Sequence, residues 1–253
     1  MTTNAHRFSV PAVAAALLLS CGAALAGTFS LSPLRLDLSG GAKTAVLTVH
    51  NEESTAVLMQ ADVFFWEQPE GGEDKLTASR DLLVSPAVFT LPPNGSQIVR
   101  VALRRGTDPQ RELAYRLSLQ EVPQPASPDF NGLKVALRMT LPVFVAPAAA
   151  ATPQLEWSAH VDDQSRIVVT AQNTGTAHAR ILNFSVAAAS GTAATLEQPA
   201  LAYVLAGQSR HWTFENPKND KTRKGTKLSD AHLLRLKGKT DQGEVATELV
   251  LQR

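Results

Sequence analysis

Apolar residues recur at every second position through most of residues 28–146, and this period of two constrains the fold more than any other feature of the chain. A strand sends successive side chains to opposite faces, so an alternating run builds a sheet with one buried face. Ala45, Leu47 and Val49 alternate with Val46, Thr48 and His50. Val57, Met59, Ala61, Val63 and Phe65 alternate with Leu58, Gln60, Asp62 and Phe64. The same holds for Val99, Val101 and Leu103, for Tyr115, Leu117 and Leu119, and for Leu133, Val135, Leu137, Met139 and Leu141. Turn residues separate the runs: Ser39-Gly40-Gly41, Pro69-Glu70-Gly71-Gly72, Pro92-Pro93-Asn94-Gly95 and the segment from Pro123 to Pro128. No stretch sustains a helical period. About seven short strands in ~120 residues is the pattern of an immunoglobulin-like sandwich.

Residues 147–153, PAAAATP, have little to bury. Strand signals resume beyond them, over 155–161, 166–172, 179–187, 194–204, 209–215, 231–237 and 244–251. The expectation is an all-β chain of two β-sandwich domains, 27–147 and 154–253, joined by a linker at 148–153. A cleft between two such domains is a common binding site.

Residues 1–26 have the layout of a secretory leader. Arg7 supplies the positive end, residues 9–20 the apolar stretch, and Ala24-Leu25-Ala26 a small-x-small cleavage site before Gly27. The apolar stretch falls short of the ~20 residues that cross a bilayer. Leu18-Leu19-Ser20-Cys21 offers a competing lipoprotein site. Cleavage after Ala26 removes the single cysteine and sends the product to the periplasm. A chain with one cysteine forms no internal disulfide and no cysteine-built zinc site.

The chemistry signals are sparse. There is no G-x-S-x-G, H-E-x-x-H or G-x-x-x-x-G-K-[ST], and His50, His160, His178, His211 and His232 have no metal-ligand spacing. No catalytic residue, metal, cofactor or small-molecule substrate is expected. The run from Lys218 to Lys227 is locally basic but lacks interleaved aromatics, and the formal charge is only +1. Those features make it a solvated loop and argue against nucleic acid as a partner.

The segment 131–147, NGLKVALRMTLPVFVAP, carries the functional signal. Its alternation alone describes a core strand. At a sheet edge, the same strand is an aggregation hazard unless a partner takes its ladder groups and apolar face.

Taken in order, several motifs resemble the PapD-like periplasmic chaperones of the chaperone–usher pilus pathway. They are Ser32-Pro33-Leu34-Arg35-Leu36-Asp37-Leu38, the stretch Val84 to Gly95, Gln97-Ile98-Val99-Arg100-Val101, Glu112 to Leu117 and Gln120-Glu121-Val122-Pro123. The second domain matches more loosely, through Gln172-Asn173-Thr174-Gly175 and the stretch Leu236 to Gly243. The resemblance implies two immunoglobulin-like domains in an L or boomerang arrangement and a non-enzymatic function. Its implied partners are pilin subunits, completed by the seventh strand of the first domain, and an outer-membrane usher.

The resemblance further implies Leu133, Val135, Leu137 and Met139 as donor side chains, and Arg35 as an anchor for the subunit's C-terminal carboxylate. A guanidinium suits a carboxylate because the pairing can be bidentate. The family's second anchor, a lysine, is replaced here by Pro142. Arg138, on the same strand face, and Arg116, on the preceding strand, are the substitutes. The arginine that many members of that family carry near the strand end is Ala146 here. Arg100 and Glu112 are the candidates for a buried, structural ion pair between the sheets. The Pro142-Val143-Phe144 ending looks like the archaic branch. The free state stays open between a monomer and a self-capped dimer. The alternative function is a structural or adhesive surface subunit of tandem sandwiches.

Overall fold

The computed structural model describes residues 29–69, 72–123, 135–189, 195–198, 201–215 and 228–253. Among them there is no α-helix, and one 3-10 turn spans Leu228–Asp230. The first domain is a sandwich of two sheets. One sheet orders β1 (Phe29–Ser32), β3 (Thr44–Asn51), β8 (Ser96–Leu103) and β6 (Leu82–Ser85). The other orders β2 (Leu36–Leu38), β10 (Arg138–Val145), β9 (Leu113–Glu121), β4 (Val57–Glu67) and β5 (Lys75–Ala78), with β7 (Val88–Leu91) also on β4. Every pairing is antiparallel except β2 with β10.

The alternation seen in the sequence is the burial pattern. Leu47 and Val49 on β3, Met59 and Ala61 on β4, Val99 and Val101 on β8 and Leu117 and Leu119 on β9 meet in one core. Tyr115 is buried there too, and its hydroxyl donates to Asp81 Oδ2 at 2.9 Å. That carboxylate also accepts from Arg105 Nη1 at 3.1 Å. Burial, followed by the Asp81 bond, pushes the Tyr115 phenol well above its ordinary range, so it stays a donor.

The second domain is one sheet, ordered β14 (Leu196–Gln198), β13 (Ala179–Ala188), β17 (Leu233–Thr240), β18 (Gly243–Gln252), β11 (Leu155–Val161), β12 (Ile167–Asn173) and β16 (Ser209–Phe214). The strand β15 (Ala202–Val204) adds to β13. Its two halves are paired through backbone only at the short parallel join of Ala159 and His160 with Leu251 and Gln252. Side chains of both halves fill one core, including Val169 and Trp212 from one and Phe184 and Leu236 from the other. The single strand expected over 194–204 is two short ones on different ends of β13. The two domains are immunoglobulin-like β-sandwiches.

Where the domains meet, the outer face of the β2–β5 sheet supplies Trp66, Ala114 and Phe144, and the second domain supplies Tyr203 and Leu205. Gln68, 2% exposed, saturates this seam. Its Nε2 donates to Asp74 Oδ1 at 3.0 Å and to the Tyr203 carbonyl at 2.9 Å, and its Oε1 accepts from Leu205 N at 3.0 Å. Its own N–H donates to Gln208 Oε1. Gly72 lies against β16: a Cβ there would sit 2.8 Å from His211 N and 2.9 Å from Arg210 Cα. Its φ of +72° also favours glycine.

Candidate functional site

The β10 strand is half covered. Its register with β9 runs from Arg138 opposite Gln120 to Val145 opposite Leu113. On its other side β2 begins only at Leu36, opposite Val143. Nothing among the described residues pairs with that side before Val143. The odd positions face the sandwich core, where Leu141, Val143 and Val145 are buried. Toward the start of the strand this row climbs out of the core: Met139 and Leu137 are half-buried, and Val135 is 72% exposed. An apolar row and an open ladder therefore coincide over the same stretch of strand. Leu133 lies outside the described residues.

The even positions face the other way, with Phe144 at the domain seam and Arg138 the one charged residue among them. Arg116 stands directly across from Pro142, with Phe64 beyond it on β4. On the other flank of Pro142, Arg35 immediately precedes Leu36. Sequence reasoning offered Arg116 and Arg138 equally; the structure separates them. Arg138 lies about 13 Å up the strand from Pro142, at about 3.3 Å per residue, and its Nε donates to Gln120 Oε1 at 3.1 Å.

The two flanking arginines are held differently. The Arg116 guanidinium lies 3.6 Å from the centre of the Trp66 ring, a cation–π contact. Its Nη2 is 3.7 Å from Asp74 Oδ2, while Asp74 Oδ1 accepts from Arg210 Nη1 at 3.1 Å. Burial lowers the Arg116 pKa and the Asp74 carboxylate opposes that shift. A guanidinium keeps its charge through such a shift. Arg35 is exposed and donates from Nε to Asp37 Oδ2 at 3.0 Å, with the two side chains 43% and 57% exposed. A pair this wet opens at little cost.

The expected ion pair between Arg100 and Glu112 does not form. Arg100 lies on the exposed face of β8, in register with Val46 and Ser85. Glu112 precedes β9 in the other sheet and turns to the second domain. Its Oε1 accepts from His178 Nδ1 at 2.6 Å and from His178 N at 3.0 Å, and its N–H donates to the Thr176 carbonyl at 2.9 Å. The His178 ring stacks on Phe144 at 3.6 Å between centroids. Glu112 takes its partner from across the seam. Sequence reasoning listed His178 only among scattered histidines and missed Gln68, Trp66 and Asp74; their spacing along the chain gives no sign of the meeting.

A groove of about 770 Å³ also opens at the seam, lined by Glu67, Gln68, Gln172, Gln208, Ser209 and His211 among others. Its one imidazole has Nδ1 bonded to Thr170 Oγ1 at 2.8 Å. No group of three or more His, Cys, Asp or Glu suited to a metal occurs among the described residues.

Residues 28–151 match the family model of the pili and flagellar-assembly chaperone, PapD N-terminal domain. A probable fimbrial chaperone, LpfB of Escherichia coli O157:H7, is 29% identical over 140 residues, which cover 54% of this chain. The match spans 57% of that relative's own length. Among solved structures, the complex of the CsuC chaperone with the CsuE tip subunit, from the archaic Csu pili of Acinetobacter baumannii, superposes with a TM-score of 0.64. It is 18% identical and covers 89% of this chain and 100% of that one. The Salmonella enterica SafA pilin–SafB chaperone complex gives 0.57 at 17% identity, covering 88% and 96%. The two-sandwich fold is shared with these structures, and the first domain, residues 28–151, belongs to the family of the pili and flagellar-assembly chaperone, PapD N-terminal domain.

Proposed function

We propose that this chain captures pilin subunits in the periplasm by adding β10 to their incomplete sandwiches, and hands them to an outer-membrane usher. The observation that carries the proposal is the half-covered β10. Its apolar row, Val135, Leu137 and Met139, rises out of the host core along the same stretch where its outer ladder is open. Leu133 continues that row in sequence. The family is one of chaperones and not of enzymes, and chaperones of this pathway are periplasmic. Two of the superposed chaperones were solved with a subunit bound, one a tip adhesion subunit and one a pilin. The archaic branch is the one this chain fits, through the Csu chaperone and the Pro142-Val143-Phe144 ending.

Arg35 and Arg116 form the anchor for the subunit's terminal carboxylate, and they sit at the end of the open edge. A guest strand that places its C-terminus there runs parallel to β10 and stops where β2 begins. The domain limits of the working chain are a leader at 1–26 cleaved after Ala26, a donor domain at 27–147, a linker at 148–153 and a second sandwich at 154–253.

The test is recovery of a client. The tagged mature chain is drawn from a periplasmic extract of its native host under pilus-forming conditions. A small strand-rich subunit at near one-to-one stoichiometry is expected to co-elute, and Arg35→Ala is expected to recover none of it while melting like wild type. Self-association alone, or recovery in long polymers, replaces this function with that of a structural surface subunit.

A further inference from the structure

We infer that Glu121 positions the donor strand: its side-chain carboxylate holds the Leu137 amide and fixes the first ordered residue of the apolar row before a guest arrives. The inference rests on the strand-donation function proposed above, and it concerns the start of β10 instead of the end beside Pro142.

The backbone of β10 alternates its bonding groups. Glu121 N–H donates to the Leu137 carbonyl at 3.0 Å, so the odd positions turn their ladder groups to β9. Ala146 N–H donates to the Leu38 carbonyl at 2.8 Å, so the even positions turn theirs to the opposite edge. In an antiparallel pair the residue opposite returns the bond through its own carbonyl. At this rung the return bond is different: Leu137 N–H donates to Glu121 Oε2 at 2.8 Å. The next amide of the outgoing chain, Val122 N–H, donates to the Leu58 carbonyl at 2.8 Å. The end of β9 thus stays on β4 while the Glu121 side chain reaches across to β10. One residue back, Gln120 Oε1 accepts from Arg138 Nε at 3.1 Å. Two side chains at the end of β9 therefore grip two consecutive residues at the start of β10. Among the described residues no hydrogen bond holds Val135 or Ala136.

Leu137 is where the apolar row leaves the host. Leu141 is buried, Met139 and Leu137 are half-buried, and Val135 is mostly exposed. Burial fades along the stretch that must meet the guest, so a hydrogen bond has to supply the order that packing no longer supplies. A carboxylate accepting a backbone N–H makes a charge-assisted bond, stronger than that of the carbonyl it replaces. A residue ordered in advance spares the complex its backbone entropy. For one residue that saving is worth about tenfold in affinity. Glu121 also divides the row. Leu137 and Met139 are presented in fixed positions, whereas Val135, with no such bond, takes its position from the guest's groove.

The test pairs residue-resolved hydrogen exchange of the mature chain with binding of one probe, the subunit recovered by the wild-type chain, diluted from denaturant into each protein. Glu121→Ala is expected to speed exchange of the Leu137 amide by about tenfold and to leave the Leu141 and Val143 amides unchanged. Its subunit binding is expected to weaken by about tenfold. Glu121→Gln keeps an acceptor oxygen and is expected to bring both quantities back to within about threefold of wild type. A residue that merely stabilised the fold would move the melting temperature and the Leu141 and Val143 amides as well. Glu121→Val, which suits a strand and carries no acceptor, repeats the test if the Ala variant does not fold. Equal Leu137 exchange in Glu121→Ala and wild type overturns the inference, because the carboxylate then holds nothing. Faster Leu137 exchange with undiminished subunit binding overturns it too, and leaves strand donation standing. A wild-type chain that recovers no subunit overturns the proposed function and this inference with it.

Discussion

The open edge of β10 and the seam between the domains share the same strands, yet one is left unfinished and the other is closed with near-complete bonding. Along the edge, Val135 is mostly exposed and the ladder groups of Arg138 and Thr140 have no strand opposite them on the outer side. Along the seam, Gln68 has its carboxamide fully engaged and Glu112 holds both the ring and the backbone of His178, with side chains 10% and 11% exposed. Trp66, Phe144 and Tyr203 fill the space between. Arg116 belongs to both regions: it stands beside the edge, and Trp66 and Asp74 of the seam hold it there. The difference teaches a division of labour. Under the proposed function, a strand is left open for a guest while Arg116, the charge set to meet the guest's end, is fixed from behind by Trp66 and Asp74.

The sharpest way to break this contrast is to put a charge on the open row. Val135→Asp should leave the melting temperature unchanged, because the side chain is already 72% exposed. In a complex it would bury a carboxylate in an apolar groove, so capture should weaken by about a hundredfold or more. Lys134→Asp, one position along and on the opposite face of the alternating run, should be tolerated. Equal losses from the two would overturn the register of the donor row.

The next largest effect belongs to the closed region. Gln68→Leu leaves the Leu205 N–H and the Tyr203 carbonyl without a partner in a buried seam. The cost is about 1–3 kcal/mol for each stranded group. Calorimetry should show the two domains melting in separate steps, and subunit capture should fall as Arg116 loses its fixed position. A single unshifted transition would mean that the seam is not what holds the domains together.

The alternation of apolar residues made the first domain legible, because in a half-buried sheet each face reports its own environment. Leu47, Val49, Val99 and Val101 are the core that the pattern predicts. The second domain was legible as strands, but not as one continuous sheet, since the parallel join at Ala159 and His160 is too short to leave a pattern. Arg35 and Arg116 could be nominated from a family resemblance; their placement on either flank of Pro142 needed the register of three strands. The partner of Glu112 was not legible. His178 is 66 residues away and shares no periodicity with it, and only the packing of one domain on the other brings them together. Long-range polar contacts at a seam are decided by the sum of all the packing, so a local pattern carries no trace of them.

The smallest effect expected is a pH dependence on the seam side. His211 sits on β16 where Gly72 of the first domain presses on its backbone, and its Nδ1 is bonded to Thr170 Oγ1. Burial first, and the neighbouring His160 second, lower its pKa below the ordinary 6.5. In the unfolded chain this imidazole takes up a proton as pH falls through 6.5; in the folded chain it does so only at lower pH. Between those two points the unfolded state binds more protons, so stability is full above 6.5 and declines as pH falls toward the folded value. Melting curves recorded on either side of 6.5 should show wild type losing a few degrees on acidification and His211→Gln losing less. Gln keeps a polar group near Thr170 and cannot titrate, so it isolates the proton from the hydrogen bond. If the two proteins lose stability in parallel, the acid sensitivity lies elsewhere. The open β10 row, which carries only Arg138 as a charge among its described even positions before Pro142, should be insensitive to pH across the same range in either protein.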